Sequence, residues 1–345
     1  MKGNYDFQIK AAKATLSMAL SNKYEAAVLG ACPGSGKSTI LILILNDFFK
    51  LFPNAKCKVL AHNQTCLKSQ LIENFTNAHV KPNFTFGLFA SNSQVEVGIP
   101  VNASKIDSID LLVIDEAHQY YSAPMVNSII SKHKPKHQIL MTGSPSCFIN
   151  YNNEVDSSYE NTKKFGIYFI AASDLVDNDV FSAVDLDVVK AEDSDVGAVY
   201  AHAKKQGYDM RKVMWACKTI AQARKINNKL LELGNHTFLS TSHNDASNEQ
   251  IEAFKKASAG VLIVVGKGVL GFSDESITCL VDMKKSNDLD NRNQLFARVL
   301  RKHPLGIKKA YLSVTGVENY NNEVIMLQNL VDLMDREVYV GYSGK

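Results

Sequence analysis

The sequence predicts an α/β protein of two domains, each a mostly parallel sheet with helices on both faces. Three observations lead there. Short apolar runs alternate with helical patterns along the chain, as crossover units do. The runs are near-continuously apolar, as in strands buried on both faces. The length of 345 residues fits about two domains at roughly 150 residues each.

In chain order, the first strands are "AAVLG" (26–30), "KVLAH" (58–62), "LLVID" (111–115) and "QILMTG" (138–143). A polar stretch rich in Asn, Ser and Glu follows at 150–164 and is the best linker candidate. The alternation then resumes with strands at 212–217, 236–241, 261–265, 277–282 and 309–314, and helices at 220–233 and 248–257. The expected partition is a first domain over 1–150, a connecting segment over 151–190, a second domain over 191–318, and a C-terminal helix and tail over 319–345. No sequence repeat links the halves.

Composition excludes some classes. The chain is 46% hydrophobic and 21% charged, enough for ordinary cores. A net charge of +3 neither demands nor excludes a polyanionic partner. The six cysteines have no C-x-x-C spacing, so a zinc site is not expected; they read as small buried residues in a reducing compartment. His133 and His137 are separated by Pro135, which argues against a metal pair on one helix. The start lacks a secretory segment, and the longest aliphatic run, 40–45, is too short for a bilayer. A soluble, cytoplasmic protein without a membrane partner is expected, in a host cell if the chain is virus-encoded.

"ACPGSGKST", Ala31 to Thr39, lies between the first strand and the helical "STILILILNDFF". That context marks a phosphate-binding loop. Gly34 and Gly36 let backbone amides turn inward around Ser35, and the helix opening through Ser38 and Thr39 offers its amino end to the same anion. Lys37 reaches β- and γ-phosphates, and Ser38 holds Mg2+. A plain Gly-rich turn with an incidental lysine does not account for strand, loop, GKS and helix in this order.

"LLVIDEAHQ" ends an apolar strand in Asp115 and Glu116. Ligands of open α/β sheets gather at the carboxyl ends of strands. Asp115 is placed to face the Mg2+ held by Ser38, and Glu116 to orient or deprotonate an attacking water. The competing reading, Asp115 as a helix cap, weakens once the phosphate loop is counted.

"ACPGSGKS" followed by "DEAH" resembles a superfamily 2 helicase or translocase of the DEAD/DEAH-like kind, whose first motif commonly has alanine where the general loop has glycine. The resemblance implies two RecA-like domains with ATP and Mg2+ in the cleft between them. It implies that Gln8 in "YDFQIKA" contacts adenine, with Phe7 or Tyr5 stacking nearby. His62, Asn63 and Gln64 would meet a nucleic-acid backbone. Thr142 and Ser144 would couple the γ-phosphate state to domain closure.

"NQLFARVLRK" resembles Q-x-x-G-R-x-x-R, with Ala297 in place of glycine. Gln294, Arg298 and Arg301 would then act on the γ-phosphate as an arginine-finger group, the two arginines sharing a helix face. Lys218 and Thr219 match a backbone-contact motif loosely, and Trp215 is read as core. In "VVGKGVLGFSDESI", Gly266 and Lys267 would lie near a phosphodiester. There the acid of the pattern is replaced by Ser273, and Asp274 follows one position later, so no carboxylate contact to the nucleotide sugar is carried over.

The implied function is an ATP-dependent nucleic-acid helicase or translocase. Spacing and the "GF" dipeptide look closer to DNA-acting members, such as phage branch-migration helicases and restriction-type translocases. An RNA helicase of the same fold, and an ATP-gated clamp that does not translocate, stay open. A small-molecule kinase needs no second sheet bearing the arginine motif. The short chain leads one to expect weak intrinsic selectivity or a protein partner that supplies it.

Overall fold

The computed structural model describes residues 6–32, 34–61, 65–143, 147–149, 164–192, 194–241, 245, 248–265, 274–284, 286–335 and 339–340. They form two compact units, one of residues 1–174 with 337–345 and one of residues 175–336.

The first unit runs α1 (Asp6–Leu20), β1 (Ala26–Ala31), α2 (Lys37–Leu51), β2 (Cys57–Leu60), α3 (Thr65–Thr76), β3 (Phe86–Leu88), β4 (Val95–Gly98), β5 (Leu111–Ile114), α4 (Pro124–His133), β6 (His137–Thr142) and β7 (Phe165–Ile170). The chain then passes through α5 (Ala172–Asp177) into the second unit: β8 (Val184–Lys190), α6 (Val196–Gln206), β9 (Lys212–Cys217), α7 (Ile220–Glu232), β10 (Thr237–Ser240), α8 (Glu249–Lys256), β11 (Gly260–Val265), β12 (Cys279–Asp282), α9 (Leu289–Leu300), β13 (Lys309–Thr315) and α10 (Tyr320–Asp335). A last short strand, β14 (Tyr339–Val340), belongs to the first sheet.

The first sheet has the order β14-β7-β1-β6-β5-β2-β4-β3, parallel except for β14 on β7. The second has the order β10-β11-β9-β12-β13-β8 and is parallel throughout. Strands β1, β5, β9 and β12 are buried along their whole length, which explains their unbroken apolar runs. Trp215 is fully buried between Ile263 and Val281 on the neighbouring strands and serves as core.

Several boundaries differ from the expectation. The connecting segment assigned to 151–190 contains β7, which pairs with β1 (Val28 opposite Ile167), and β8, which pairs with β13. The first unit therefore extends well past residue 150, because the apolar "FGIYFI" supplies a further strand for its sheet. The tail after α10 returns to the first sheet as β14. Residues 150–163 of the linker candidate lie outside the described residues. Cys32, Cys57, Cys217 and Cys279 are buried as expected, but Cys147 is exposed. Among the described residues no helix is long and apolar enough to cross a membrane.

One charged pair sits inside the first sheet. Lys58 in β2 and Glu96 in β4 are opposite each other in register, with Nζ 2.7 Å from the carboxylate. Asp107 adds a second contact at 2.8 Å. Each polar group thus has the partner that burial requires.

Candidate active site: a phosphate loop beside an acidic turn

Because β1, β5 and β6 run parallel and adjacent, their carboxyl ends share one edge. That edge receives the loop after Ala31, the acidic pair after Ile114 and Thr142.

In the loop, Gly34 and Gly36 have φ of +93° and +86°, the left-handed region that glycine enters freely. Gly36 precedes α2 and makes no side-chain cap, so the first amides of α2 remain available to an anion. A Cβ on Gly36 would lie 2.4 Å from Nε2 of Gln8. Gln8 therefore packs directly on the loop. It is buried, its Nε2 donates to the Ser35 carbonyl at 3.4 Å, and its Oε1 has no hydrogen-bond partner among the described residues. A buried acceptor of this kind fits an arriving donor. Phe7 is half-buried in the same helix, while Tyr5 lies outside the described residues.

Lys37 donates from Nζ to the Ala31 carbonyl at 3.1 Å and lies 4.0 Å from Glu116 Oε1. Ser38 Oγ accepts from Asn74 Nδ2 at 3.1 Å. Thr39 is half-buried one residue on.

The acidic turn is held by its own backbone. Glu116 N–H donates to Asp115 Oδ1 at 3.1 Å. Burial, then the adjacent Glu116, push Asp115 up to about 7, and Lys37 opposes the rise. Glu116 has φ of +51°, a left-handed conformation that costs a non-glycine residue about 1 kcal/mol. That conformation places Glu116 near the Lys37 ammonium and the His118 imidazole, the latter with Nδ1 3.6 Å from Oε2. His118 Nδ1 is also 2.9 Å from Thr142 Oγ1, which joins the acidic turn to the end of β6.

In the second unit, Gln294 is buried and Arg298 half-buried on α9. The shared helix face is not observed: α9 ends at Leu300, and Arg301 instead forms an antiparallel bridge with Phe181. Burial pulls Arg301 down, with Glu275 as the opposing charge. Thr219 is the N-cap of α7, accepting from Gln222 N–H at 3.1 Å, while Gln222 accepts from Lys218 N–H at 2.8 Å. Thr219 and Gln222 thus satisfy two backbone N–H groups at the start of this helix. Asp274 does not replace the missing acid, because it pairs with buried Lys212 at 3.0 Å and accepts from Ser276 N–H. His62, Asn63, Gln64, Ser144, Gly266, Lys267 and Ser273 lie outside the described residues.

Sequence reasoning assigned no role to Asn74, to His118 as a bridge, or to Tyr120, whose hydroxyl bonds the Leu60 carbonyl. "DEAH" displayed His118, but its partner Thr142 is fixed only by the β5–β6 alignment.

The donor set suits a nucleoside triphosphate with Mg2+: left-handed glycines, an open helix amino end, a lysine, a hydroxyl and paired carboxylates. Two largely parallel sheets of this kind, each with its helices, match the fold of two RecA-like domains. Residues 2–147 match the family described as Type III restriction enzyme, res subunit. The chain is similar in structure to a fragment assigned to the HsdR subunit of a type I restriction enzyme from Vibrio vulnificus YJ016 (14% identity, TM-score 0.67), covering 91% of this chain and 64% of that one. It is similar to the ATP-dependent Type ISP restriction-modification enzyme LlaBIII bound to DNA (14%, TM-score 0.67), covering 97% and 30%. It is similar also to S. cerevisiae Dbp5 bound to RNA and ADP BeF3 (16%, TM-score 0.62), covering 93% and 87%. The chain thus spans under two thirds of the two restriction-enzyme chains. No curated protein matches the sequence.

Proposed function

We propose that this chain is a nucleic-acid-dependent ATPase of helicase type that uses hydrolysis to move along DNA. The observation that carries the reading is Lys37, held between the Ala31 carbonyl and Glu116 at the end of a phosphate loop. In this reading Gln8 reads the base, and the Gly34–Thr39 backbone and Lys37 cradle the phosphates. Ser38 and Asp115 would hold Mg2+, which supplies charge neutralisation on the phosphate oxygens. Glu116 orients and deprotonates water, Arg298 and Arg301 supply positive charge against the γ-phosphate, and Gln294 adds a neutral amide hydrogen-bonding group. Support for DNA comes from the restriction-enzyme family match and the DNA-bound LlaBIII structure, set against the RNA-bound Dbp5 structures. Contacts to phosphates make such a track largely sequence-independent and salt-sensitive.

The test is steady-state ATP hydrolysis beside a Lys37→Ala control, with no polymer, single-stranded, duplex or forked DNA, or RNA, at two salt concentrations. Stimulation by DNA, lost in the control and weakened by salt, is expected. Stimulation by RNA alone would reassign the track. ATP binding without stimulation by any polymer would overturn the motor and leave an ATP-gated clamp.

A further inference from the structure

Asn74 meets Ser38 across 36 residues of sequence, and the packing that brings them together is specific. Helix α2 carries Ser38 and packs against α3, which carries Asn74. Leu71 and Phe75 of α3 are buried. Phe75 meets Phe84 and Phe86 edge-on, with centroids 6.1 Å and 5.5 Å apart, and Phe49 of α2 meets Phe84 at 5.5 Å. Asn46 of α2 latches the segment after α3, accepting from Asn83 N–H at 2.8 Å and donating to the Lys81 carbonyl at 3.1 Å. The amide is therefore delivered to Ser38 by two helices locked through an aromatic cluster.

The chemistry of the contact is suited to a metal ligand. A serine hydroxyl has two lone pairs and one proton. The Asn74 N–H occupies one lone pair and selects one side-chain rotamer, leaving the other lone pair for a cation and the proton for an acceptor. A neutral amide donor adds no charge that repels or captures the metal.

We propose that Asn74 is a positioning residue for the metal–nucleotide complex, acting through Ser38 to set the Mg2+ concentration at which the chain takes up a triphosphate. This rests on the ATPase reading, in which Ser38 is a metal ligand.

The test is binding of a fluorescent, non-hydrolysable ATP analogue to the full chain, titrated with Mg2+ from an EDTA baseline. The variants are Asn74→Ala, Ser38→Ala and both together. Asn74 is exposed, so its truncation leaves the core intact. The Mg2+ midpoint of Asn74→Ala is expected to rise about three- to tenfold, the scale of one hydrogen bond, with binding in EDTA unchanged. Because the effect passes through Ser38, the double variant should match Ser38→Ala alone. An unchanged midpoint in Asn74→Ala, or additive effects in the double variant, would overturn the inference while leaving the ATPase reading standing. Absence of Mg2+-dependent binding by the wild-type chain would remove both.

Discussion

Tyr120 donates its hydroxyl proton to the Leu60 carbonyl at 2.7 Å, tying the acidic turn to the end of β2. The same oxygen accepts the Asp115 N–H at 2.9 Å, so one carbonyl fixes the turn at two points. Burial, then the charges of Asp115 and Glu116, hold the phenol protonated as a donor. Tyr120→Phe leaves the oxygen its second bond and should cost about 1 kcal/mol in urea unfolding. A loss above about 3 kcal/mol would mean that the ring itself had moved.

Gly36→Ala should damage nucleotide uptake more than folding. The new methyl group would meet Gln8 Nε2 at 2.4 Å, at a φ of +86°. The backbone strain is about 1 kcal/mol, but relief of the clash displaces Gln8 from the loop. Binding of the fluorescent analogue should weaken at least about tenfold, a difference of about 1.4 kcal/mol. Unaltered affinity would show that Gln8 contributes nothing to the site.

The arginine helix is anchored by a buried ion pair. Arg292 on α9 pairs with Glu323 on α10 through both terminal nitrogens, and Ser313 Oγ donates to the same carboxylate. Glu323→Ala strands a buried guanidinium and should cost about 3–5 kcal/mol in urea unfolding. Arg292→Met with Glu323→Leu should recover most of that loss, because neither charge then remains inside. A Glu323→Ala variant as stable as wild type would show that water reaches Arg292.

Lys309 gives the second unit a pH dependence of definite sign. Its side chain is 1% exposed, with Nζ donating to the Glu275 carbonyl at 2.8 Å. Burial outweighs the attraction of Asp274 and Glu275, Arg301 adds repulsion, and the ammonium falls to about 8. Between about 8 and the unfolded value of 10.5, the folded chain binds fewer protons than the unfolded chain, so this group makes stability rise with pH. The cost of burying the charge is fully present below about 8. Lys309→Met should be more stable than wild type at pH 7 by about 1–3 kcal/mol, the advantage shrinking by pH 10. A pH-independent difference in urea unfolding would refute the assignment.

The chemistry of the candidate site was legible because it is written in consecutive residues. Ala31–Thr39 and Asp115–Glu116 carry donors and acids whose spacing is itself the mechanism. The partners that hold them were not legible. Asn74 reaches Ser38 only through helix packing, and His118 reaches Thr142 only through strand alignment. "FGIYFI" is as apolar as any other strand, but its place beside β1 is a non-local pairing that its polar preface obscured. "VEVG" carries an inward glutamate, so its burial in β4 made sense only once Lys58 lay opposite. The periodicity of "NQLFARVLRK" runs on to Arg301, whereas the helix stops at Leu300 and Arg301 bridges to Phe181; Pro304 shortly beyond also disfavours further helix.

The Lys58–Glu96 pair has a consequence for assembly. Strands β2 and β4 are separated in sequence by α3 and β3, so their pairing is non-local. A slip of one residue between them would set the ammonium against Val95 or Val97 and turn the carboxylate away from it. An unpaired buried charge costs several kcal/mol, whereas the aligned pair satisfies both groups. The two charges therefore act as an alignment check, rejecting near-miss pairings that apolar strands alone would tolerate.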